Sequence, residues 1–272
     1  MAGTVAPDRG RLTTSTPNRL PRLLLPALGI GPVLFVGSFY VLPIVRLLGR
    51  AVHVGDISSV LQAPGLGRVM WFTLWQAVVS TVVTVIVGFV PAYVLARHRF
   101  RGRRLMIALI TVPFMLPTVV VGAAFLAVLP DRWHNTAIAV LAAHVFFNIA
   151  VVVRIVGGMW ANLPTDLTGA ARTLGASQRQ VLLTVVLPLL RPALVAASSV
   201  IFLFTFTSYG VVRVLGGVRN ATIEVEVARR ATLLGDVRGA AVLSMLQVIR
   251  SEEHTSELQS HLNLVCRLLL EK

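Results

Sequence analysis

The sequence predicts an all-α polytopic membrane protein with five complete transmembrane helices and a truncated sixth. Three observations carry that reading. The chain is 56% hydrophobic and 13% charged, and its mean hydropathy is +0.80; a soluble domain carries roughly twice that charged fraction. Apolar runs of about 20 residues recur, each long enough to cross a bilayer as a helix. Arginines gather in short loops beside those runs, where cytosolic loops of membrane proteins place them. The runs do not alternate polar and apolar as barrel strands do, so helices must satisfy the backbone in hydrocarbon.

Residues 1–21 are polar, rich in Thr, Pro and Arg, and are expected to be a disordered cytosolic N-terminus. Residues 22–249 are the expected transmembrane domain. Arg9, Arg11, Arg19 and Arg22 precede the first apolar run, and no small-x-small cleavage site ends it, so an uncleaved span is expected. Span one covers about Leu23–Leu48 and holds Pro26, Pro32 and Pro43, which neighbouring helices make tolerable. Arg46 and Arg50 at its outer end can snorkel to headgroups. Span two covers about Trp71–Ala96, with Trp71 and Trp75 at the outer interface. The following loop, Arg97–Arg104, is the densest charge in the chain and is expected on the cytosolic side.

Span three, about Leu105–Leu129, carries Pro113 and Pro117 one turn apart, which predicts a single kinked helix. Span four covers about Ala137–Trp160, and span five about Val185–Tyr209. Val211–Val237 is expected as an outer segment. Its Glu224 and Glu226 lie on a solvated face, or pair with Arg229 and Arg230 or with a partner protein. A sixth span begins near Gly239, but Ala240–Ile249 supplies only about half the length a crossing needs. Arg250–Ser260, RSEEHTSELQS, resembles a translated sequencing adapter, and the only Cys and only Lys, Cys266 and Lys272, lie beyond it. Residues 250–272 are therefore expected to be a non-native tail.

Between spans four and five lies Ala161–Thr184, read as a short cytosolic helix, a turn at Gly175 and the start of a second helix that enters the membrane through Leu187-Pro188. Gly169, Ala170, Ala171, Gly175 and Ala176 are small, so another protein's surface can approach the backbone closely. The pattern resembles the EAA loop of permease subunits of ATP-binding-cassette (ABC) importers: Glu-Ala-Ala, three residues, Gly, then an apolar-x-Leu-Pro ending. Here it falls on Gly169-Ala170-Ala171, Gly175, Val185 and Leu187-Pro188, with Gly169 where the family has Glu. Val112–Gly122, Ala143–Asn148, Phe204–Gly217 and Ala221–Val227 further resemble the N-terminal half of the fused thiamine and iron(III) permeases.

That resemblance implies the type I importer permease fold, of which this chain is one half. It implies two separate ATPase subunits, an extracytoplasmic substrate-binding protein and a second permease half, fused or separate. The location it implies is a bacterial inner or plasma membrane. Thiamine or iron(III) is the implied substrate, with the lean toward thiamine. Gly169, Ala170, Ala171, Arg172, Leu174, Gly175, Ala176, Leu187 and Pro188 are the implied ATPase-coupling residues.

Other polar residues in the spans are candidates too, because polar groups in hydrocarbon are often functional. His144 and Asn148, four apart on one helix face, either line the pathway or make an interhelical hydrogen bond. Ser208 and Tyr209 either meet substrate or, for Tyr209, sit in the interfacial belt. Arg154 and Arg191 are expected to snorkel. The net charge of +14 does not indicate nucleic-acid binding, because the arginines border spans. There is no GxxxxGK[ST] loop, GxSxG or HExxH, so the chain is not expected to be an enzyme or to hold a cofactor or metal. A secondary transporter is the alternative, but the spans contain none of the acidic residues that ion coupling usually uses; a non-functional membrane fragment is another.

Overall fold

A computed structural model describes residues 24–51 and 60–247. The expected N-terminal segment 1–21 and tail 250–272 lie outside the described residues. The chain divides into two compact units, Met1–Arg50 and Ala51–Lys272.

In the first unit, α1 (Leu24–Val36) passes through a π-helical turn (Gly37–Val41) into α2 (Leu42–Ala51). The π turn ends two residues before Pro43. Proline cannot donate to the carbonyl four residues back and its ring crowds that carbonyl, and a widened turn relieves both problems. Phe35 stacks on Phe39 at 5.0 Å inside this stretch.

The second unit is built on three long helices: α3 (Leu66–Arg97), then, after two shorter helices, α6 (Ala137–Ala161), and finally the span Gln178–Phe206. Ala92, Val152, Val156, Leu190, Ala193 and Ile201 form the centre of their shared core. Small residues set the spacing. A Cβ on Gly88 would lie 2.8 Å from Val152 Cβ, so α3 and α6 touch there because that side chain is missing. Hydrogen bonds cross the same seams: Gln76 Nε2 donates to the Thr205 carbonyl at 2.8 Å.

Span three departs from expectation. It is not one kinked helix but two, α4 (Arg103–Met115) and α5 (Thr118–Val128), bent by 108°. The cause is local. Leu116 precedes Pro117 and is extended (φ −77, ψ 146), as a pre-proline residue must be to avoid the ring. The start of α4 is pinned by Arg103, whose guanidinium donates twice to the Leu95 carbonyl, at 3.0 and 2.9 Å. A cation here also suits the negative C-terminal end of α3.

The segment expected to lie outside is also packed. After α7 (Thr165–Thr173), α8 (Gln178–Val181), a π turn (Leu182–Val186) and α9 (Leu187–Phe206), the chain folds back as α10 (Gly210–Leu215). Val211, Val212 and Leu215 are buried against Phe72, Val140 and Ala143. Gly210 fits because a Cβ there would collide with Thr118. Next come α11 (Ile223–Thr232) and α12 (residues 237–247), whose Val242 and Leu243 pack on Val60 and Leu66. Among the described residues three helices are long and apolar enough to cross a membrane, or four if α4 and α5 make one broken span.

Candidate functional site

The first candidate is α7 and the turn that ends it. Asp166 lies in its first turn and Arg172 in its last, both matched to the helix dipole. The helix stops in a Schellman arrangement: Ala176 N–H donates to the Ala171 carbonyl at 3.1 Å and Gly175 N–H to the Arg172 carbonyl at 2.9 Å. That closure needs a left-handed residue, and Gly175 has φ +87, where a side chain is strained. The second alanine and the glycine of the motif are thus parts of one cap. Ser177 and Gln180 then form a capping box at 3.3 and 2.8 Å that starts α8 at once.

The expected coupling residues divide by direction. Ala171 and Ala176 pack on the three-helix core. Gly169, Ala170, Arg172 and Gly175 are exposed, and Leu174 is 88% exposed. Leu187 and Pro188 lie at the foot of α9, not on the exposed helix. Pro188 follows a second π turn two residues on, as Pro43 follows the first.

His144, Asn148 and Ser208 are 2%, 1% and 8% exposed. His144 Nε2 lies 2.8 Å from Ser208 Oγ and its Nδ1 3.3 Å from Ser80 Oγ, so this ring joins α3, α6 and the end of α9. Asn148 donates to the His144 carbonyl at 3.0 Å, and its Oδ1 has no partner among the described residues. Ser80 belongs to a buried polar stripe, Thr73, Gln76, Ser80 and Thr84, that the sequence reading missed. Its spacing of three and four inside an apolar run was the available signal.

At the opposite end of α3 and α6 lies a cavity of about 730 Å³. Tyr209 lines it, with Arg68, Arg213, Arg219, Arg229 and Arg230 and the carboxylate of Glu226. Glu226 is not on a solvated face. It is 8% exposed and accepts from Arg229 at 2.7 and 2.8 Å and from Arg230 at 3.0 Å. The hydrogen bond from Arg229 is the main reason its carboxyl sits below the usual range. Glu224 instead accepts from Gln247 at 2.8 Å, and burial raises its carboxyl. Arg68, Arg213 and Arg219 were not singled out in the sequence, because only folding back α10 brings them together.

The family model for the binding-protein-dependent transport system inner membrane component matches residues 84–247. The chain belongs to that family. It is a multi-pass inner-membrane permease component, and the ATPase of such a system is a separate subunit. The permease is 31% identical over 200 residues to the sulfate transport system permease protein CysT of Salmonella typhimurium, covering 68% of this chain and 72% of that protein. It is 30% identical over 222 residues to the thiamine transport system permease protein ThiP of Brucella abortus, covering 71% of this chain but 40% of that protein. In fold it resembles a chain of the bacterial alginate ABC transporter solved with an alginate pentasaccharide-bound periplasmic protein. There the TM-score is 0.71 at 12% identity, over 87% of this permease and 92% of that chain. The MetNI methionine ABC transporter gives 0.53 at 16%, over 74% and 99%.

Proposed function

We propose that the permease forms one membrane half of a type I ABC importer. Five crossings are made by Leu23–Leu48, α3, the broken pair α4–α5, α6 and the α8–α9 span, and a sixth begins near Gly239. Residues 22–249 are the permease domain, residues 1–21 a cytosolic N-terminal segment and residues 250–272 a non-native tail. The end carrying α7 and the Arg97–Arg104 loop faces the cytosol. There α7 docks on one of two ATPase subunits; the opposite end meets the binding protein, and a second half, fused or separate, completes the pathway.

The observation that carries this reading is the capped, exposed helix α7, whose C-cap residue Leu174 is bare at 88% and lies outside the chain's own core. ATP-driven closure of the ATPase pair moves α7 as a rigid unit and rocks the bundle. A pathway between two halves leaves its lining side chains open in one half alone. His144, Asn148 and Ser208 are closed, so they are read as bonds within the bundle, and Tyr209 as a lining residue.

For the substrate, five arginines, Arg68, Arg213, Arg219, Arg229 and Arg230, line the cavity at the outer end, with a single carboxylate, Glu226, paired to the last two. Positive charge at that end runs against the usual bias of membrane proteins and favours an anion. We therefore read the substrate as an oxyanion of the sulfate kind. Thiamine remains the second reading, supported by the identity to ThiP; thiamine and iron(III) are cations and would be repelled unless carried as an anionic complex. The test is reconstitution with the cognate ATPase and binding protein. Gly175→Trp should abolish uptake and stimulated ATP hydrolysis while the protein still folds; wild-type values for both would sink the docking assignment. Uptake of labelled thiamine but not sulfate would overturn the oxyanion reading alone.

A further inference from the structure

The end of the bundle that carries α7 holds a second pocket, of about 480 Å³. One wall is α3, which contributes Phe89, Val90, Tyr93 and Arg97. Eight residues of helix, about 12 Å, separate its apolar end from its arginine. The facing wall is the foot of the α8–α9 span, with Val186 and Leu182 deeper and Arg179 at the same end as Arg97. Both walls change from apolar to cationic in the same direction. Arg172 of α7 joins the cationic end, and Trp160 lies against Phe89 and Tyr93, with ring centres 4.9 and 5.1 Å apart.

The pocket lining contains no Asp or Glu. The ion pairs among the described residues involve Asp131, Glu226 and Asp236, none with Arg97, Arg172 or Arg179. The occupant this shape fits is anionic at one end and apolar at the other. Val90 and Tyr93 are 63% and 41% exposed, which opens the apolar part toward lipid.

We propose that this pocket binds an anionic phospholipid, its phosphate among Arg97, Arg172 and Arg179 and an acyl chain along Phe89, Val90 and Val186. Basic pockets between helices on the cytoplasmic side are places where such headgroups bind. Aromatic rings at that level match the headgroup boundary. A free phosphate would leave the apolar half unused, and an acidic side chain of the ATPase would do the same. The consequence is mechanical: one phosphate bridges the end of α3 to the helix that docks the ATPase. The identity of the leaflet rests on the orientation proposed above, whereas the amphiphile's chemistry does not.

The test is native mass spectrometry of the full chain in mixed micelles of phosphatidylglycerol and phosphatidylcholine. The wild type should retain phosphatidylglycerol with a preference of roughly tenfold or more. Arg97→Gln, Arg172→Gln and Arg179→Gln together should erase that preference; the corresponding Lys triple should keep it, and millimolar inorganic phosphate should not displace the lipid. Equal retention of the two lipids by wild type would overturn the proposal, even if the Gln triple does not fold. So would a preference surviving in a folded Gln triple, displacement by inorganic phosphate, which would mark a free-anion site, or displacement by the added ATPase, which would mark an acidic protein surface as the occupant. Orientation is read separately by labelling Thr173→Cys, in a Cys266→Ser background, with an impermeant maleimide. Labelling in intact cells would sink the proposed orientation while leaving the lipid preference standing.

Discussion

In the three-helix core, Ala77, Ala92, Ala143, Ala193 and Ala197 are sealed against neighbouring helices, at 0% exposure. On α7, Gly169 and Ala170 lie bare. The residue type is the same and the circumstances are opposite. In the core, smallness is already used, because helices have closed onto it. On α7 it is unused within this chain, and a Cβ on Gly169 would meet nothing within 4 Å. Under the proposed docking, smallness with no neighbour in its own fold is what keeps this surface clear for the ATPase.

The sharpest way to break that contrast is to enlarge one glycine of each kind. Gly88→Leu should cost about 3 kcal/mol or more by forcing α3 from α6, seen as a lower unfolding temperature in detergent. Gly169→Leu should leave that temperature unchanged or slightly higher; equal losses at both sites would show that α7 is packed after all. Next in size is Leu174→Asp, expected to weaken ATPase association roughly tenfold with no change in thermal stability. Unaltered binding in a pull-down with the purified ATPase would remove Leu174 from the docking face.

The two carboxylates of α11 sharpen the contrast from the other end of the bundle. Glu226→Gln should cost about 1 kcal/mol, discounted because Arg229 is half exposed. Glu226 is held low by Arg229, so its contribution is full above about pH 4.3 and is lost as pH falls through its lower folded value. Glu224 is raised by burial, so it favours the fold at low pH and opposes it as pH rises through that raised value. Unfolding temperatures across pH 3–7, a range of roughly the carboxylate titration, should therefore shift in opposite senses for Glu226→Gln and Glu224→Gln. Shifts of the same sign would refute these environments. The smallest effect belongs to the buried ring: Ser208→Ala should lower stability by about 0.6 kcal/mol, a typical interhelical bond in a membrane. An uptake defect without a stability change would return His144 to the pathway.

Much of this was legible in the residues. Long apolar runs announced α3, α6 and the α8–α9 span, because hydrocarbon demands helices of that length. Gly175 announced the end of α7, because a Schellman cap needs a left-handed residue. The break at Leu116 was only half legible: Pro113 and Pro117 signalled a bend, but a 108° reversal depends on what α5 then packs against. The burial of Val211, Val212 and Leu215 was not legible. An apolar stretch beside polar loops reads as an outer segment until Thr118, Gly122 and Val140 are seen to receive it.

The amino-acid order alone therefore determined the helical class, the membrane setting and the capped exposed turn, all of which follow from local period, length and backbone conformation. Which arginines share a cavity, which carboxylate is neutralised, and whether His144 faces a pathway or a packed seam came only from the folded chain. Those properties depend on residues far apart in the sequence, such as Arg68 with Arg213 and Ser80 with His144 and Ser208. Their charge and hydrogen-bonding energies depend on distance and burial, which no local pattern encodes.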